Sequence, residues 1–90
     1  MSLERAIGDP VEQPGGDVSF RMHNGSAFVA CRVTADALWQ LSGGRYRTSL
    51  QAFEALRSHI ELVASEKYDA GHLDEDGGVT VKATDLTADG

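Results

Sequence analysis

The residues of this chain best equipped for chemistry are one cysteine, three histidines and a run of carboxylates, and none falls at a spacing that assembles a site locally. Cys31 could act as a thiolate nucleophile only with His59 or another base within hydrogen-bond reach, and nothing near it in sequence lowers its pKa. The alternation of its segment turns it inward beside Val18, where a thiol behaves as a small apolar group. His59 lies between Leu56 and Ile60 on the border of an apolar helical stripe, the usual setting of a partly buried, hydrogen-bonded ring. His23 belongs to a turn. No His-x-x-x-His or Cys-x-x-Cys spacing is present, so the compact patterns that indicate zinc are missing.

The stretch from Asp69 to Gly78 alternates acidic oxygens ahead of a glycine, which resembles a calcium loop superficially. Setting Gly77 at loop position 6 puts His72 at position 1 and Ala83 at position 12, where a first ligand and a bidentate glutamate are required. The stretch Asp74-Glu75-Asp76 therefore reads as a solvated acidic loop before a strand. No catalytic, cofactor-binding or metal-ligating residue is assigned, and no cofactor is expected.

A surface of another kind is suggested by Arg45-Tyr46-Arg47 with Trp39 less than two helical turns upstream. Arginine and aromatic side chains anchor interfaces because they combine apolar area with hydrogen bonding. The residues from Asp17 to Thr48 carry four arginines against two aspartates, whereas Ser49 to Gly90 carries nine acidic against three basic residues. That polarity favours contact between copies, or with a protein partner. The competing reading is that Trp39 and Tyr46 close the bottom of the core while the arginines are solvated.

Ninety residues allow one domain. The formal charge of −6 disfavours phosphate backbones and anionic lipid. A single cysteine forms no internal disulfide, which points to a cytoplasmic setting. The amino-terminal segment lacks an apolar stretch of signal-peptide length, and no window approaches a membrane span.

Several elements must position these groups. Pro10, Pro14, Gly15 and Gly16 punctuate residues 1–16, whose apolar residues keep no period, so that segment is expected to be a flexible arm. A β-hairpin follows, Asp17 to Met22 and Ala27 to Val33, turning at His23-Asn24-Gly25-Ser26. With Asn24 and Gly25 as its two loop residues, Met22 faces Ala27, Phe20 faces Val29 and Val18 faces Cys31. The opposite face then pairs Asp17 with Arg32, and Arg21 with Phe28 through a cation–π contact. Thr34 caps a short helix running to about Leu41, with Ala35, Leu38 and Leu41 inward, Trp39 off the stripe and Gly43-Gly44 as the stop.

Thr48 and Gln51 form a capping box opening a long helix through Asp69. Leu50, Phe53, Leu56, Ile60, Val63 and Lys67 make its inner stripe, and Arg57 pairs with Glu61 on the surface. Gly71 ends that helix. Gly77-Gly78 leads into a half-buried strand, Val79 to Lys82, with Val79 and Val81 inward. Thr84-Asp85-Leu86 starts a last helical turn, capped by Thr84 and with Leu86 packing back, and residues 87–90 fray. The expected fold is α+β: an N-terminal β-hairpin, a short helix, a long amphipathic helix and a C-terminal strand, with helices on one face of a small, mainly antiparallel sheet spanning residues 17–86.

In order along the chain, the hairpin, Val33-Thr34-Ala35-Asp36-Ala37-Leu38, Ala52-Phe53 with Arg57 and Ile60, Tyr68, and Asp76-Gly77-Gly78-Val79-Thr80-Val81 with Asp85-Leu86 resemble the bacterial family catalogued as domain of unknown function 1488. The resemblance covers Asp17 to Leu86. It implies a small stand-alone bacterial α+β protein with no assigned activity.

Three functions remain distinguishable. The first is a non-enzymatic interaction module, or homodimer, working through Trp39, Arg45, Tyr46 and Arg47 or a sheet edge. The second is a small-molecule sensor or enzyme whose site gathers His59, Cys31 and the Asp74 to Asp76 loop. The third is a nucleic-acid accessory role through Arg21, Arg32, Arg45 and Arg47, against which the net charge argues.

Overall fold

A computed structural model describes residues 3–25 and 27–87, with the side chains of residues 86 and 87 excepted. The hairpin forms from β3 (Val18–His23) and β4 (Phe28–Val33). Its inward face carries Val18, Phe20 and Met22 against Val29, Cys31 and Val33, all buried, as alternation requires. The register differs from the two-residue-loop expectation: Met22 pairs with Val29, Phe20 with Cys31 and Val18 with Val33. The Asn24 N–H reaches the Ala27 carbonyl at 3.1 Å, closing a longer loop over 24–27. Arg32 accordingly faces Ser19, and Asp17 instead accepts the Ala35 N–H at 2.8 Å, satisfying a donor at a helix start. Arg21 still lies 5.4 Å over the Phe28 ring, reached on the diagonal.

Residues 3–16 are not a free arm. β1 (Glu4–Arg5) and β2 (Val11–Glu12) both pair antiparallel with the outer edge of β3. Between the paired positions Arg5↔Met22 and Val11↔Ser19, residues 6–10 oppose only residues 20–21, so the edge strand bulges. Three side-chain bonds fasten this segment to the long helix. The Leu3 N–H donates to Ser65 Oγ at 2.8 Å, Arg5 donates to Glu61 at 2.9 Å, and Glu12 accepts the Leu50 N–H at 2.9 Å. Leu3 and Ala6 are buried with them.

The short helix α1 (Ala35–Ser42) opens with Thr34 accepting the Ala37 N–H and stops at Gly43 in the left-handed region. The long helix α2 (Ser49–Asp69) opens with Thr48 Oγ accepting the Gln51 N–H at 3.1 Å. The Gln51 side chain closes back on the Arg47 N–H at 3.2 Å, one residue upstream of the capping-box partner. At the far end, Gly71 and His72 donate to the carbonyls of Tyr68 and Lys67, closing a Schellman motif. Phe53 and Ile60 are fully buried, Leu50, Leu56 and Val63 pack against the core, and Phe20 meets Phe53 at 4.9 Å between ring centroids.

β5 (Val79–Val81) pairs with β4 in parallel, so α1 and α2 together form a crossover, and the sheet order is β1-β3-β4-β5 with β2 also on β3. Val79, Thr80 and Val81 are all buried rather than alternately wet. As an edge strand β5 is blunted. Lys67 buries its stem and donates through Nζ to the Thr80 carbonyl and to Asp85, both at 2.8 Å, which occupies a carbonyl that another strand would use. In α3 (Ala83–Thr87), Asp85 rather than Thr84 closes the start, accepting the Lys82 N–H at 2.8 Å. Thr87, the first residue expected to fray, is instead the last residue of α3, while the packing expected of Leu86 and the fraying expected at 88–90 fall outside the described residues. Among those residues no helix is long and apolar enough to cross a membrane. The architecture is α+β, with α1 and α2 on one sheet face and Ser19, Arg21, Ala30 and Arg32 on the other.

Candidate functional site

The exposed end of α1 and the loop to α2 form the site. Trp39 projects off the inner stripe and is 67% exposed. Its ring rests on Gly44, where a Cβ would stand 2.7 Å from the indole, and Gly43 and Gly44 both have positive φ. Ser42 fixes this turn, donating to the Trp39 carbonyl and accepting the Gly44 N–H, each at 3.3 Å. Trp39, Tyr46 and Arg47 then border one groove of about 350 Å³, floored by Leu38 and Ala52 and closed at one side by Gly15-Gly16. Arg45 is exposed beside it without lining it. Three of the four residues singled out in the sequence thus converge, and Trp39 does not close the core. Nothing in the sequence marks Gly15 and Gly16 for this groove except a glycine pair, which the chain carries at several turns.

The dispersed chemical groups do not converge fully. Cys31 and the aspartates Asp74 and Asp76 border a hollow of about 380 Å³ on the outer sheet face, whereas His59 is exposed on α2, across the sheet. His59 therefore differs from the expected half-buried ring. Cys31 reaches that hollow through its backbone, because strand alternation sends its side chain to the core, where it is 3% exposed. Burial pushes its thiol up to about 12, helped by the negative charges of Glu61 and Asp74. Relative to the ordinary value of 9.0, this leaves roughly a thousandfold less thiolate near neutral pH. We expect a thiol reagent at pH 8 to label the native protein about 100-fold or more slowly than the urea-unfolded chain. Equal rates would show that the thiol is accessible.

The acidic loop is partly structural. Asp74 accepts from the Thr80 hydroxyl at 2.6 Å and Asp76 from the Gly78 N–H at 2.9 Å. Among the described residues no group of three or more potential ligands could hold a metal ion. The arginines are also divided. Arg21 and Arg32 share the sheet-side hollow with Asp9, Asp74 and Asp76, while Arg47 borders the Trp39 groove, so no continuous basic track forms.

Glu61 was expected at the surface and is instead buried, receiving Arg57 at 2.9 Å and Arg5 through three hydrogen bonds of 2.9–3.1 Å. Burial alone would raise its carboxyl, but the two guanidiniums outweigh that and hold it below the usual carboxylate value. Its role is to fasten β1 to α2.

No curated protein matches the chain. A crystal structure described as a protein of unknown function from the DUF1488 family of Shewanella loihica PV-4 aligns with TM-score 0.76 and 19% identity, covering 89% of this chain and 91% of that one. At that identity the likeness speaks for the fold alone. The family model described as protein of unknown function (DUF1488) matches residues 9–81, which includes the hairpin, α1, α2 and the parallel strand β5, and the chain belongs to that family.

Proposed function

We propose that this domain is a non-enzymatic protein-interaction module whose contact surface is the groove bordered by Trp39, Tyr46 and Arg47, with Arg45 at its rim. The observation that carries the reading is the exposed indole. An indole of roughly 200 Å² that is two-thirds exposed retains about 3 kcal/mol of unused burial. The Gly43-Gly44 turn fixes that ring in place, so little side-chain freedom is lost when a partner covers it. Arginines at the rim supply orientation through charge-assisted hydrogen bonds. A cytoplasmic setting accords with a lone, buried thiol.

The test is capture of partners from a bacterial lysate on the immobilised protein, comparing wild type with the Trp39→Ala, Arg45→Ala, Arg47→Ala triple variant. All three side chains are exposed, so the far-ultraviolet circular dichroism should be unchanged. We expect a partner held by the wild type and lost from the variant. Identical retention by both overturns the reading.

A further inference from the structure

We propose that a second copy of this chain docks on the outer face of α2, the two helices running antiparallel about a two-fold axis near Ser58. The proposal rests on the interaction-module reading only in sharing Tyr46 and Arg47, and it names the partner for the side of that surface facing α2.

The outer face of α2 is a single stripe. Gln51, Ala55, Ser58, Leu62, Glu66 and Asp69 recur three or four residues apart, all are exposed, and they lie opposite the buried Phe53, Ile60 and Ala64. Leu62 is 57% exposed on this stripe, the one large apolar side chain among small and polar neighbours there. Two turns towards the N-terminus the same helix offers a hollow between Tyr46, Leu50, Gln51, Glu54 and Ala55. One copy thus presents both an apolar knob and a hole to receive it.

A two-fold contact requires that if residue i touches j, then j touches i. With Ser58 on the axis of an antiparallel pair, position 62 of one copy stands opposite 54 of the other. That places each Leu62 over the other copy's hollow. The same register brings position 50 opposite 66, so the chain that enters α2 through Arg47 approaches the acidic end of the facing helix, Glu66 and Asp69. Arg45 and Arg47 directly precede α2, whereas Glu66 and Asp69 lie at its other end, and that polarity is complementary only when the helices run in opposite directions. Antiparallel macrodipoles add to it. Small side chains at the crossing, Ala55 and Ser58, allow the axes to approach to roughly 8–10 Å.

Sedimentation equilibrium tests the proposal. At roughly 100 µM the wild type should be dimeric. Leu62→Glu should be monomeric at the same concentration with an unchanged circular dichroism spectrum. Arg47→Glu should weaken association about tenfold, and adding Glu66→Arg should recover most of that loss. Cross-linking gives an independent readout, since Cys31 is buried and silent. Ser58→Cys should oxidise to a covalent dimer, whereas Glu75→Cys, exposed on the loop before β5, should not. This arm decides the matter if Leu62→Glu fails to fold. A wild type that stays monomeric up to about 1 mM overturns the proposal, as does a dimer indifferent to Leu62→Glu. A monomer that still captures a partner through Trp39 removes the two-fold contact and leaves the interaction-module reading standing.

Discussion

Replacing Phe53 with alanine should cost about 3–5 kcal/mol of folding stability, the largest loss expected from any single truncation in this core. Phe53 is fully buried, one ring face tilts at 42° to Phe20 with centroids 4.9 Å apart, and the Arg57 guanidinium lies 5.4 Å from its centroid. The residue thus joins the hairpin to α2, and its neighbour Ala52 floors the Trp39 groove. A chain of this length holds roughly 5–13 kcal/mol in total, so the variant would retain a small fraction of native stability. Phe53→Leu, which keeps most of the volume, should lose about 1.5 kcal/mol or less. Urea denaturation of the three proteins measures both differences. A Phe53→Ala loss under about 1 kcal/mol would mean that the hairpin and helix do not meet at this ring.

The hairpin shows what sequence can and cannot resolve. Alternation put Val18, Phe20 and Met22 on the correct face, but the loop closes over four residues instead of two, so each pairs two positions further along β4. A slip of two preserves the face, and hydrophobicity therefore cannot distinguish the two registers. The full burial of β5 was hidden for a different reason: Val79-Thr80-Val81 reads as alternating, yet Asp74 covers Thr80 from the outer side. The close approach is visible at Gly78, where a Cβ would come within 2.5 Å of the Ala30 carbonyl oxygen. Nothing in a Gly-Gly pair reveals which strand lies beside it.

At residues 3–16 the sequence misled for a physical reason. Two-residue strands separated by a bulge have no period to detect, and the segment is held by side chains 38 to 62 residues distant. The candidate surface was more legible. Trp39 falls off the stripe of Leu38 and Leu41, and a position off an apolar helical stripe is exposed whatever packs on the stripe. His59 was misplaced by the same geometry in reverse, since it is one residue, or about 100°, from the buried Ile60. That Tyr46 and Arg47 share a groove with Trp39 depended on how the two-glycine turn folds the chain back, which spacing alone does not specify.

Removing the Glu61 carboxylate, by Glu61→Ala, should cost about 2–4 kcal/mol, because it leaves the largely buried Arg57 without its counter-charge and releases Arg5 from α2. The effect should also carry a pH signature. The Glu61 carboxyl is held low despite its burial, through the hydrogen bonds of Arg5 and Arg57, and Asp85 is held low despite its burial by Lys67 and the Lys82 N–H. For a group whose folded value is depressed, the folded state binds fewer protons than the unfolded chain in the acid range. Both contributions are therefore complete above the ordinary carboxylate values of 4.5 and 3.8, and decline as the pH falls towards and below the folded values. The wild type should lose thermal stability steeply below about pH 4.5, and Glu61→Gln should be less stable near neutrality with a shallower acid slope. Parallel melting curves for the two proteins from pH 7 down to about 3 would separate these effects; identical slopes would show that Glu61 titrates in the folded protein as it does in the unfolded chain. Because Arg5 belongs to β1, the same acid range should loosen the amino-terminal edge of the sheet before the hairpin, visible as earlier amide exchange at Arg5 and Ala6 than at Phe20 and Cys31.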